Sequence, residues 1–381
     1  MRFLILDTYY QNVLDLVYDR NPNLASRKYL EQLEAIYALG FARAEFLPKN
    51  LQLIGHEADQ VIVNADILQH RWALEHGLTI PPISQGRISK SLSHVCKYCG
   101  ISSNIYSERY DLKILSAQVE HYKPDIILNC DLNYLPSTFL KEIKSKKCVL
   151  VGECAYPLKN NVDLSCYDLI VSASPHFVDR FRSQGVKAEQ LRLGFEASIL
   201  SKIKFEGDKS NDLTFIGNIS ANHQGRLKLL EKVSQQMPLQ IYGSLGNRLL
   251  IHSALKKRIS PPMWGYAMYK QLSLSRIVLN SHIDVAGEYG GNMRMYEATG
   301  VGAFLLTDWK KDLSDIFEIG KEIVTYHDSE ECITLIKYYL THEVERETIA
   351  KAGQLRTLHD HTYYHRMQEF VDMVQRTKEI H

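Results

Sequence analysis

Glycines and polar residues that suit anion binding are concentrated in residues 287–308. Gly290 and Gly291 allow the backbone to approach a ligand closely. Asn292 is a residue type that caps helices. The helix that it would begin presents its first amides, starting at Met293, together with the positive end of the helix dipole. Such a helix start binds phosphates and other anions, so we expect an anion site here.

Two charged residues follow on the predicted helix and indicate which anion the site would suit. Arg294 offers a fixed positive fork for phosphate oxygens. Glu297 lies three residues later on the same face, where its carboxylate can accept hydrogen bonds from ribose hydroxyls. Gly300 ends the helix, and residues 303–307 are typical of a central parallel strand. The stretch predicts a nucleoside diphosphate site; the alternative is a glycine-rich loop beside a surface ion pair.

Six segments between residues 292 and 363 keep the order and spacing of a known family. They resemble the C-terminal half of group 1 glycosyltransferases, in particular the branch that includes the spore-maturation CgeB-like proteins. The segments are 292–297, 302–308, 317–322, 338–340, 349–353 and 361–363. The resemblance covers the second half of the chain and reaches the first half only by general pattern. It implies the GT-B fold and sugar transfer from a nucleotide-activated donor.

The resemblance also implies roles for residues of the second half. Gly217, after the first strand of that half, would abut the donor, and Arg226 would reach its phosphates. Glu297 matches the glutamate that binds ribose. The family has a second glutamate eight residues earlier, where this chain has Tyr289; Glu288 lies nine residues before Glu297 and is the candidate for the donor sugar.

Two further residues of the second half are candidates for chemistry. His282 and Asp284 directly follow the predicted strand 277–280 and are expected at its carboxyl end. The group 1 fold brings such ends to the donor, so we assign both to the catalytic set, with Arg294 for the leaving diphosphate. Residues 260–265, which include Trp264, are expected to bind the base.

Polar residues of the first half follow three predicted strands and suit an acceptor. Tyr9 and Tyr10 follow the first strand, and Asp131 and Asn133 follow the strand at 126–130. Glu153 follows the strand at 149–151 and is the leading acceptor-side carboxylate, a candidate to take the proton of the acceptor hydroxyl.

Short apolar runs alternate with helical patterns along the whole chain, which predicts parallel sheets covered on both faces. The fold class expected is α/β: two tandem Rossmann-like, doubly wound domains (GT-B) with an interdomain cleft and a C-terminal helix that crosses back. The predicted strands are 3–6, 61–64, 126–130, 149–151, 169–172, 191–193, 213–216, 239–242, 277–280, 303–306 and 323–326. The predicted helices are 29–39, 65–76, 136–145, 175–183, 225–236, 266–274, 293–299, 330–340 and one after Tyr363.

A polar stretch at 202–211 predicts the boundary between the two halves. Residues 1–200 would form an acceptor-side domain and residues 208–361 the nucleotide-sugar domain. Residues 362–381 would form the helix that packs back on the first domain.

Composition narrows the classes of partner. The chain has 381 residues and a net charge of +1, which argues against a large nucleic-acid footprint. It has no apolar run of membrane-spanning length. The apolar run at its start is too short, and is followed too soon by polar residues, for a signal peptide. Seven cysteines favour a reducing compartment. We therefore expect a cytoplasmic protein, with a peripheral position at the inner face of the membrane left open.

Cys96 and Cys99 form one Cys-x-x-Cys pair within the irregular region 78–110. Neither a second pair nor suitably spaced histidines follow, so incidental thiols are favoured over a zinc or redox site and no metal is expected.

The sequence as a whole predicts a glycosyltransferase with a nucleotide sugar as co-substrate and no other cofactor. Its acceptor would be a glycan, a lipid-linked saccharide or a protein. The group 1 resemblance favours retention at the anomeric carbon without an obligatory metal. Two alternatives stay open: a different sugar phosphate donor such as a phosphoribosyl diphosphate, and a non-catalytic scaffold that binds sugar nucleotides. The sugar, the base and the oligomeric state are not predicted.

Overall fold

The computed structural model describes residues 1–81, 110–145, 147–159, 162–203, 209–219, 223–246, 255 and 258–379. Four sequence predictions lie wholly or partly outside these residues: Cys96 and Cys99, most of the irregular region 78–110, part of the boundary stretch 202–211, and part of the loop after Gly217.

The first half contains a six-stranded sheet with the strand order β2-β1-β3-β4-β5-β6. The pairs β1–β2, β1–β3, β3–β4 and β5–β6 are parallel. Its strands are β1 (Arg2–Asp7), β2 (Glu57–Ile62), β3 (Ile126–Asn129), β4 (Val149–Glu153), β5 (Leu169–Ser172) and β6 (Ala188–Gln190). Its helices are α1 (Gln11–Arg20), α2 (Tyr29–Tyr37), α3 (Phe46–Leu53), α4 (Asp66–Glu75), α5 (Tyr110–Tyr122), α6 (Ser137–Ile143), α7 (Pro175–Ser183) and α8 (Ile199–Ile203).

The second half contains another six-stranded parallel sheet, with the order β12-β11-β10-β7-β8-β9. Its strands are β7 (Asn211–Ile216), β8 (Leu239–Tyr242), β9 (Ile259–Ser260), β10 (Ser275–Asn280), β11 (Phe304–Asp308) and β12 (Val324–Tyr326). Its helices are α9 (Gln224–Gln236), α10 (Gly265–Ser273), α11 (Met293–Gly300), α12 (Ser329–Thr341), α13 (Glu343–Asp360) and α14 (Tyr363–Lys378). The predicted α/β class with two parallel sheets, a GT-B-like fold, is confirmed.

The central strands are buried on both faces, as their uninterrupted apolar sequences predict. The last five residues of β1 and the last four of β10 are all buried. Local signals set several helix starts: Pro175 occupies the first turn of α7, and the Asp328 carboxylate caps α12 by accepting from two backbone amides.

The chain divides into two compact units. The first comprises Met1–Leu39, His56–Glu153 and Pro157–Asp168, and the second comprises Gly40–Gly55, Cys154–Tyr156 and Leu169–His381. The domain limits at 200, 208 and 361, and the cleft, stay predictions.

The C-terminal helix packs back within the second unit, onto segments from the first half of the chain. Helix α14 contacts α3. The Arg366 Nε donates to the carbonyl of Leu193 at 3.0 Å, and Phe195 exchanges backbone hydrogen bonds with His361 and Tyr363 at 2.8 and 3.0 Å. The predicted return of the last helix is therefore confirmed.

Two groups of elements differ from the sequence prediction. The strand predicted at 191–193 is wrong: β6 ends at Gln190, and the chain after Leu191 leaves the sheet to bond the start of α14 instead. Helices α1, α3, α5, α8 and α13 and strand β9 lie where no element was predicted. In α13 the buried positions include Gly353 and Thr357, which give a weak apolar stripe. No helix within the described ranges is long and apolar enough to cross a membrane.

Candidate functional site

Polar residues and a glycine of the second half lie at the carboxyl ends of β7, β10 and β11. Strand β10 lies between the other two and pairs with both. Gly217 follows β7, residues 281 and 282 follow β10, and Asp308 ends β11. Because parallel strands point the same way, these residues share one edge, the usual ligand-binding edge of such sheets. We call it the donor edge.

Residues 287–292, here called the donor loop, connect the donor edge to α11. Gly287 and Gly291 have positive φ angles of 59° and 95°, a region that disfavours residues with a Cβ atom. A Cβ atom at Gly290 would lie 2.5 Å from the Leu313 Cδ2, so a larger residue there would require the Leu313 side chain to move. The approach of the backbone to a ligand at Gly290 and Gly291 stays a prediction.

Asn292 occupies the N-cap position of α11 with an extended backbone, but its side chain does not cap the helix. The prediction of a side-chain cap is wrong, because the Asn292 side chain bonds the side chain of Asn280, at the end of β10, instead of the helix amides. The two amides face each other, with Nδ2–Oδ1 distances of 3.0 and 3.3 Å. The Met295 amide donates to the backbone carbonyl of Asn292 at 3.1 Å. The amides of Met293 and Arg294 precede it and are not capped by the Asn292 side chain.

Arg294 and Glu297 form a largely buried ion pair rather than a surface one. The Arg294 Nη1 lies 2.7 Å from the Glu297 Oε2, and the two side chains are 16% and 7% exposed. The other carboxylate oxygen, Oε1, lies 3.4 Å from the hydroxyl of Tyr269, longer than a usual bond of this type. The Arg294 Nε is buried and has no acceptor among the described residues. The pair therefore retains unused donor and acceptor capacity.

His282 is oriented by the carboxylate of Asp308. The His282 Nδ1 lies 2.7 Å from the Asp308 Oδ1, which also accepts from the backbone amide of His282 at 2.9 Å. Burial raises the pKa of Asp308, but the contacts with His282 outweigh burial and hold this pKa below its usual value. The His282 Nε2 is buried without a partner in the described part of the chain. A histidine held in this way has one ring nitrogen left for another group.

Arg226 links two strand ends of the donor edge through hydrogen bonds. Its Nη1 donates to the carbonyl of Asn218 at 2.7 Å and its Nη2 to that of Ser281 at 2.6 Å, linking the ends of β7 and β10. Burial lowers its pKa to about 10, so it keeps its charge at neutral pH. Both terminal nitrogens already bond the backbone; a contact with phosphate stays a prediction. Gly217 lies beside this arginine: a Cβ atom there would be 3.8 Å from the Arg226 Nη1.

Two acidic candidates make different contacts. The Asp284 Oδ2 accepts from the backbone amide of Gln224 at 2.8 Å, at the start of α9. The Glu288 side chain is 77% exposed and pairs with the Lys311 Nζ at 3.0 Å. The Lys311 Nζ also lies 4.1 Å from the ring centroid of Tyr289. These contacts leave the catalytic role of Asp284 and the sugar contact of Glu288 as predictions.

The acceptor-side candidates lie in the first unit, at the carboxyl ends of its strands. Tyr9 is buried and exchanges backbone hydrogen bonds with the Asn64 side chain at 2.9 and 2.7 Å, whereas Tyr10 is 60% exposed. Asp131 accepts from the amide of Asn133 at 2.9 Å. Glu153 ends β4 and is half-buried. The structure thus groups these residues by strand end, and their roles stay predictions.

Sequence reasoning did not select three residues that structure the donor edge: Asp308, Lys310 and Asp312. The Lys310 Nζ donates to the carbonyl of Gly287 at 2.6 Å, and the Asp312 Oδ1 accepts from the amide of Gly290 at 2.6 Å. Their position at or just after the end of a buried strand was the sequence signal that could have indicated them. The described residues contain no group of three metal-ligating side chains.

The second half of the chain is similar to a known protein family. Residues 226–372 match the model of a family described as glycosyl transferase-like. The matched segment contains the donor loop, α11 and Asp308. No curated protein matches the chain in sequence.

Solved structures with the same fold include several of glycosyltransferases. One is a glycosyltransferase from Rickettsia africae, with a TM-score of 0.58, 10% identity, and coverage of 99% of this chain and 98% of that one. Another is Anabaena HepE in complex with UDP-glucose, with a TM-score of 0.54, 12% identity, and coverage of 98% and 99%. A third is sucrose-phosphate synthase from Thermosynechococcus elongatus, with a TM-score of 0.54, 9% identity, and full coverage of both chains. At these identities the likeness shows the GT-B-like fold.

Proposed function

We propose that this protein is a glycosyltransferase that moves a sugar from a nucleotide-activated donor to a hydroxyl acceptor. One observation carries the proposal: the segment that matches the glycosyl transferase-like family has an uncapped helix start and a buried arginine at the carboxyl edge of a parallel sheet. The complex of HepE with UDP-glucose, on the same fold, supports a nucleotide sugar as the donor.

In the proposed reaction the bond between the anomeric carbon and the diphosphate oxygen breaks, and the electron pair stays on the diphosphate. The amides of α11 and the guanidinium of Arg294 stabilise this growing negative charge. The acceptor oxygen forms the new bond to the anomeric carbon and loses its proton to a base. We propose Glu153 or His282 for this base.

For the rest of the donor, Glu297 is proposed to accept hydrogen bonds from the ribose through Oε1, which makes only a long contact. If Glu153 is the base, His282 is proposed to bond the donor through Nε2, since Asp308 already holds Nδ1.

The finer assignments rest on the resemblance to group 1 enzymes. We propose retention at the anomeric carbon, no obligatory metal, membership of the CgeB-like branch, and a glycan or lipid-linked saccharide as acceptor in polysaccharide biosynthesis. A reducing cytoplasmic compartment is also proposed; the described cysteines are buried thiols without disulfides.

The test combines binding and turnover on the whole chain. Melting temperature is measured with UDP, GDP, ADP, dTDP and their glucose or N-acetylglucosamine conjugates, because a ligand at 100 times its Kd adds about 2.7 kcal/mol of stability. We expect one base series to raise the melting temperature and its sugar conjugate to release nucleoside diphosphate with an acceptor panel. Binding without any turnover would favour the scaffold, and no response to any nucleotide would contradict the proposal.

A further inference from the structure

The donor loop is hydrogen-bonded to residues 308–312, here called the strap, which begin at the last residue of β11. The Lys310 Nζ donates to the carbonyl of Gly287 at 2.6 Å, at the start of the donor loop. The carboxylate of Asp312 accepts from the amide of Gly290 at 2.6 Å, near the end of the loop. Both ends of the loop are thus bonded to side chains of the strap.

The Asp312 bond is partly buried and the Lys310 bond is exposed at Gly287. The loop and the strap also share a backbone bond, in which the Lys311 amide donates to the Glu288 carbonyl at 3.0 Å. Asp312 is 8% exposed and the Lys310 side chain is 17% exposed. The ion pair of Lys311 with Glu288 is largely exposed, and exposed pairs of this kind contribute little. Lys310 and Asp312 therefore supply the side-chain bonds that hold the backbone of the donor loop.

The strap also reaches His282. The Lys310 Nζ lies 3.4 Å from the Asp308 Oδ2, and the other oxygen of that carboxylate is bonded to the His282 ring. One ammonium group thus contacts both the donor loop and the carboxylate that orients His282. A shift of Lys310 would disturb both.

The donor loop needs such an attachment because of its composition. Gly287 and Gly291 adopt positive φ angles, and glycine loses more conformational freedom than any other residue when it becomes ordered. If the loop were mobile, a diphosphate would have to order it on binding, at a cost in affinity. A loop ordered beforehand avoids that cost.

We propose that Lys310 and Asp312 are positioning residues that hold the donor loop in the conformation in which the first amides of α11 receive the donor diphosphate. They act through the loop and do not contact the donor. This inference rests on the proposed nucleotide-sugar function, which assigns no role to either residue.

The first test measures the loop without any ligand, by hydrogen exchange of the Gly290 and Gly291 amides. The variants are Asp312→Ala, Asp312→Asn and Lys310→Met, and Lys321→Met is the control, because Lys321 pairs only with the exposed Glu318 at a distance from the loop. We expect exchange to rise by about tenfold in Asp312→Ala and Lys310→Met, the effect of losing one hydrogen bond. Asp312→Asn keeps an oxygen for Gly290 and should change exchange by less than about threefold.

The second test measures affinity for whichever of UDP, GDP, ADP or dTDP binds the wild type, and for the matching nucleoside. We expect Asp312→Ala and Lys310→Met to weaken the diphosphate by roughly tenfold and the nucleoside by less than about twofold, with rescue by Asp312→Asn.

Unchanged exchange in both disruptive variants would overturn the inference. So would weaker diphosphate binding by Lys310→Met without faster exchange, since Lys310 would then contact the phosphates directly. If wild type binds none of the four nucleotides, the proposed function fails, whereas the exchange measurement still decides whether the strap orders the loop. If Asp312→Ala does not fold, the comparison of Lys310→Met with Lys321→Met remains.

Discussion

Arg294 combines a firm position with spare hydrogen-bonding capacity. The Glu297 carboxylate holds its Nη1 at 2.7 Å, and its Nε has no acceptor in the described ranges. An arginine preorganised in this way loses little side-chain entropy when it binds a phosphate. Its position, one residue after the first amide of α11, places the positive charge beside the helix start.

We expect Arg294→Ala to weaken nucleoside diphosphates by roughly 10- to 100-fold, the worth of a charged hydrogen bond, and to abolish transfer. The matching nucleoside should bind nearly as it does to wild type. Calorimetric titration of both ligands measures the difference. Arg276→Ala, which removes an exposed arginine paired with Asp212, is the control. Equal loss of both ligands would show that Arg294 does not bind phosphate.

Glu297 has two candidate roles, holding Arg294 and binding the ribose, and each role would use a different carboxylate oxygen. Oε2 pairs with Arg294, whereas Oε1 makes only the 3.4 Å contact with the Tyr269 hydroxyl. Glu297→Gln keeps the shape and removes the charge. We expect it to lower the affinity for the nucleoside diphosphate by about tenfold or more. The affinity for an analogue of that nucleotide that lacks the ribose hydroxyls should be unchanged.

The outcome separates a ribose contact from an indirect effect through Arg294. If Glu297→Gln weakens both ligands equally, the carboxylate acts only by holding the arginine, and the ribose assignment fails. Glu318→Gln, at an exposed carboxylate, controls for the change in net charge.

At the scale of elements, helices α11 and α13 approach their neighbours closely at two glycines. In α13, a Cβ atom at Gly353 would lie 2.3 Å from the carbonyl oxygen of Glu322, just before β12. In α11, a Cβ atom at Gly300 would lie 2.4 Å from the Phe195 ring. Glycine at these two positions allows the backbones to approach more closely than alanine would.

Gly353→Ala reverses the usual helix rule. Alanine stabilises an ordinary helix interior by about 1 kcal/mol relative to glycine, but here overpacking should destabilise the protein by about 1–3 kcal/mol. Urea denaturation measures the difference. Gly225→Ala in α9 is the matched control, because its nearest described atom is the Asp284 Oδ1 at 3.4 Å. It should be neutral or mildly stabilising; equal effects in the two helices would contradict the close approach.

At the scale of the whole molecule, a buried histidine, His361, lies at the junction of α13 and α14 and links it to residues distant in the chain. The His361 Nε2 donates to the carbonyl of Ile316 at 2.9 Å, and its Nδ1 accepts from the Arg366 Nη2 at 2.8 Å. Burial lowers the pKa of His361 to about 4, and the charge of Arg366 contributes in the same direction, while the bond to Ile316 opposes it. The ring is therefore neutral in the folded protein at neutral pH.

This histidine should make unfolding depend on pH. The unfolded histidine has a pKa near 6.5, so the unfolded chain binds more protons between about pH 6.5 and 4. The stability contributed by the neutral ring is present above this range and is lost as the pH falls. The free energy of unfolding should decrease by about 2 kcal/mol between pH 7 and pH 5 through His361 alone.

Because other groups also titrate, the measurement compares slopes. His361→Gln should flatten the decrease between pH 7 and pH 5 by about that amount. His359→Gln should not, because the His359 side chain is 85% exposed. Identical slopes for wild type and His361→Gln would show that this ring is not the buried proton-binding group.

The sequence alone predicted the fold class, most strands and the start of α11, because these depend on short-range signals. Apolar runs identify the strands, and the glycines and Asn292 mark a helix start. The proximity of Arg294 and Glu297 follows from helical spacing, since residues three apart share a face. The family resemblance depended on the same local segments. What it could not supply was their environment: only the structure shows that the pair is buried and that Asn292 faces Asn280 instead of capping α11.

The remaining features depend on contacts between residues far apart in the chain. Asp308 meets His282 because β10 and β11 are neighbours in the sheet, and Asp312 meets Gly290 because the strap runs beside the donor loop. Helix α14 lies against α3, and Arg226 bridges two strand ends, for the same reason. No local pattern encodes such pairs, because the closure of the sheet and the burial of its core bring them together. Tertiary structure alone therefore decided which polar groups are held by a partner and which remain available to a ligand.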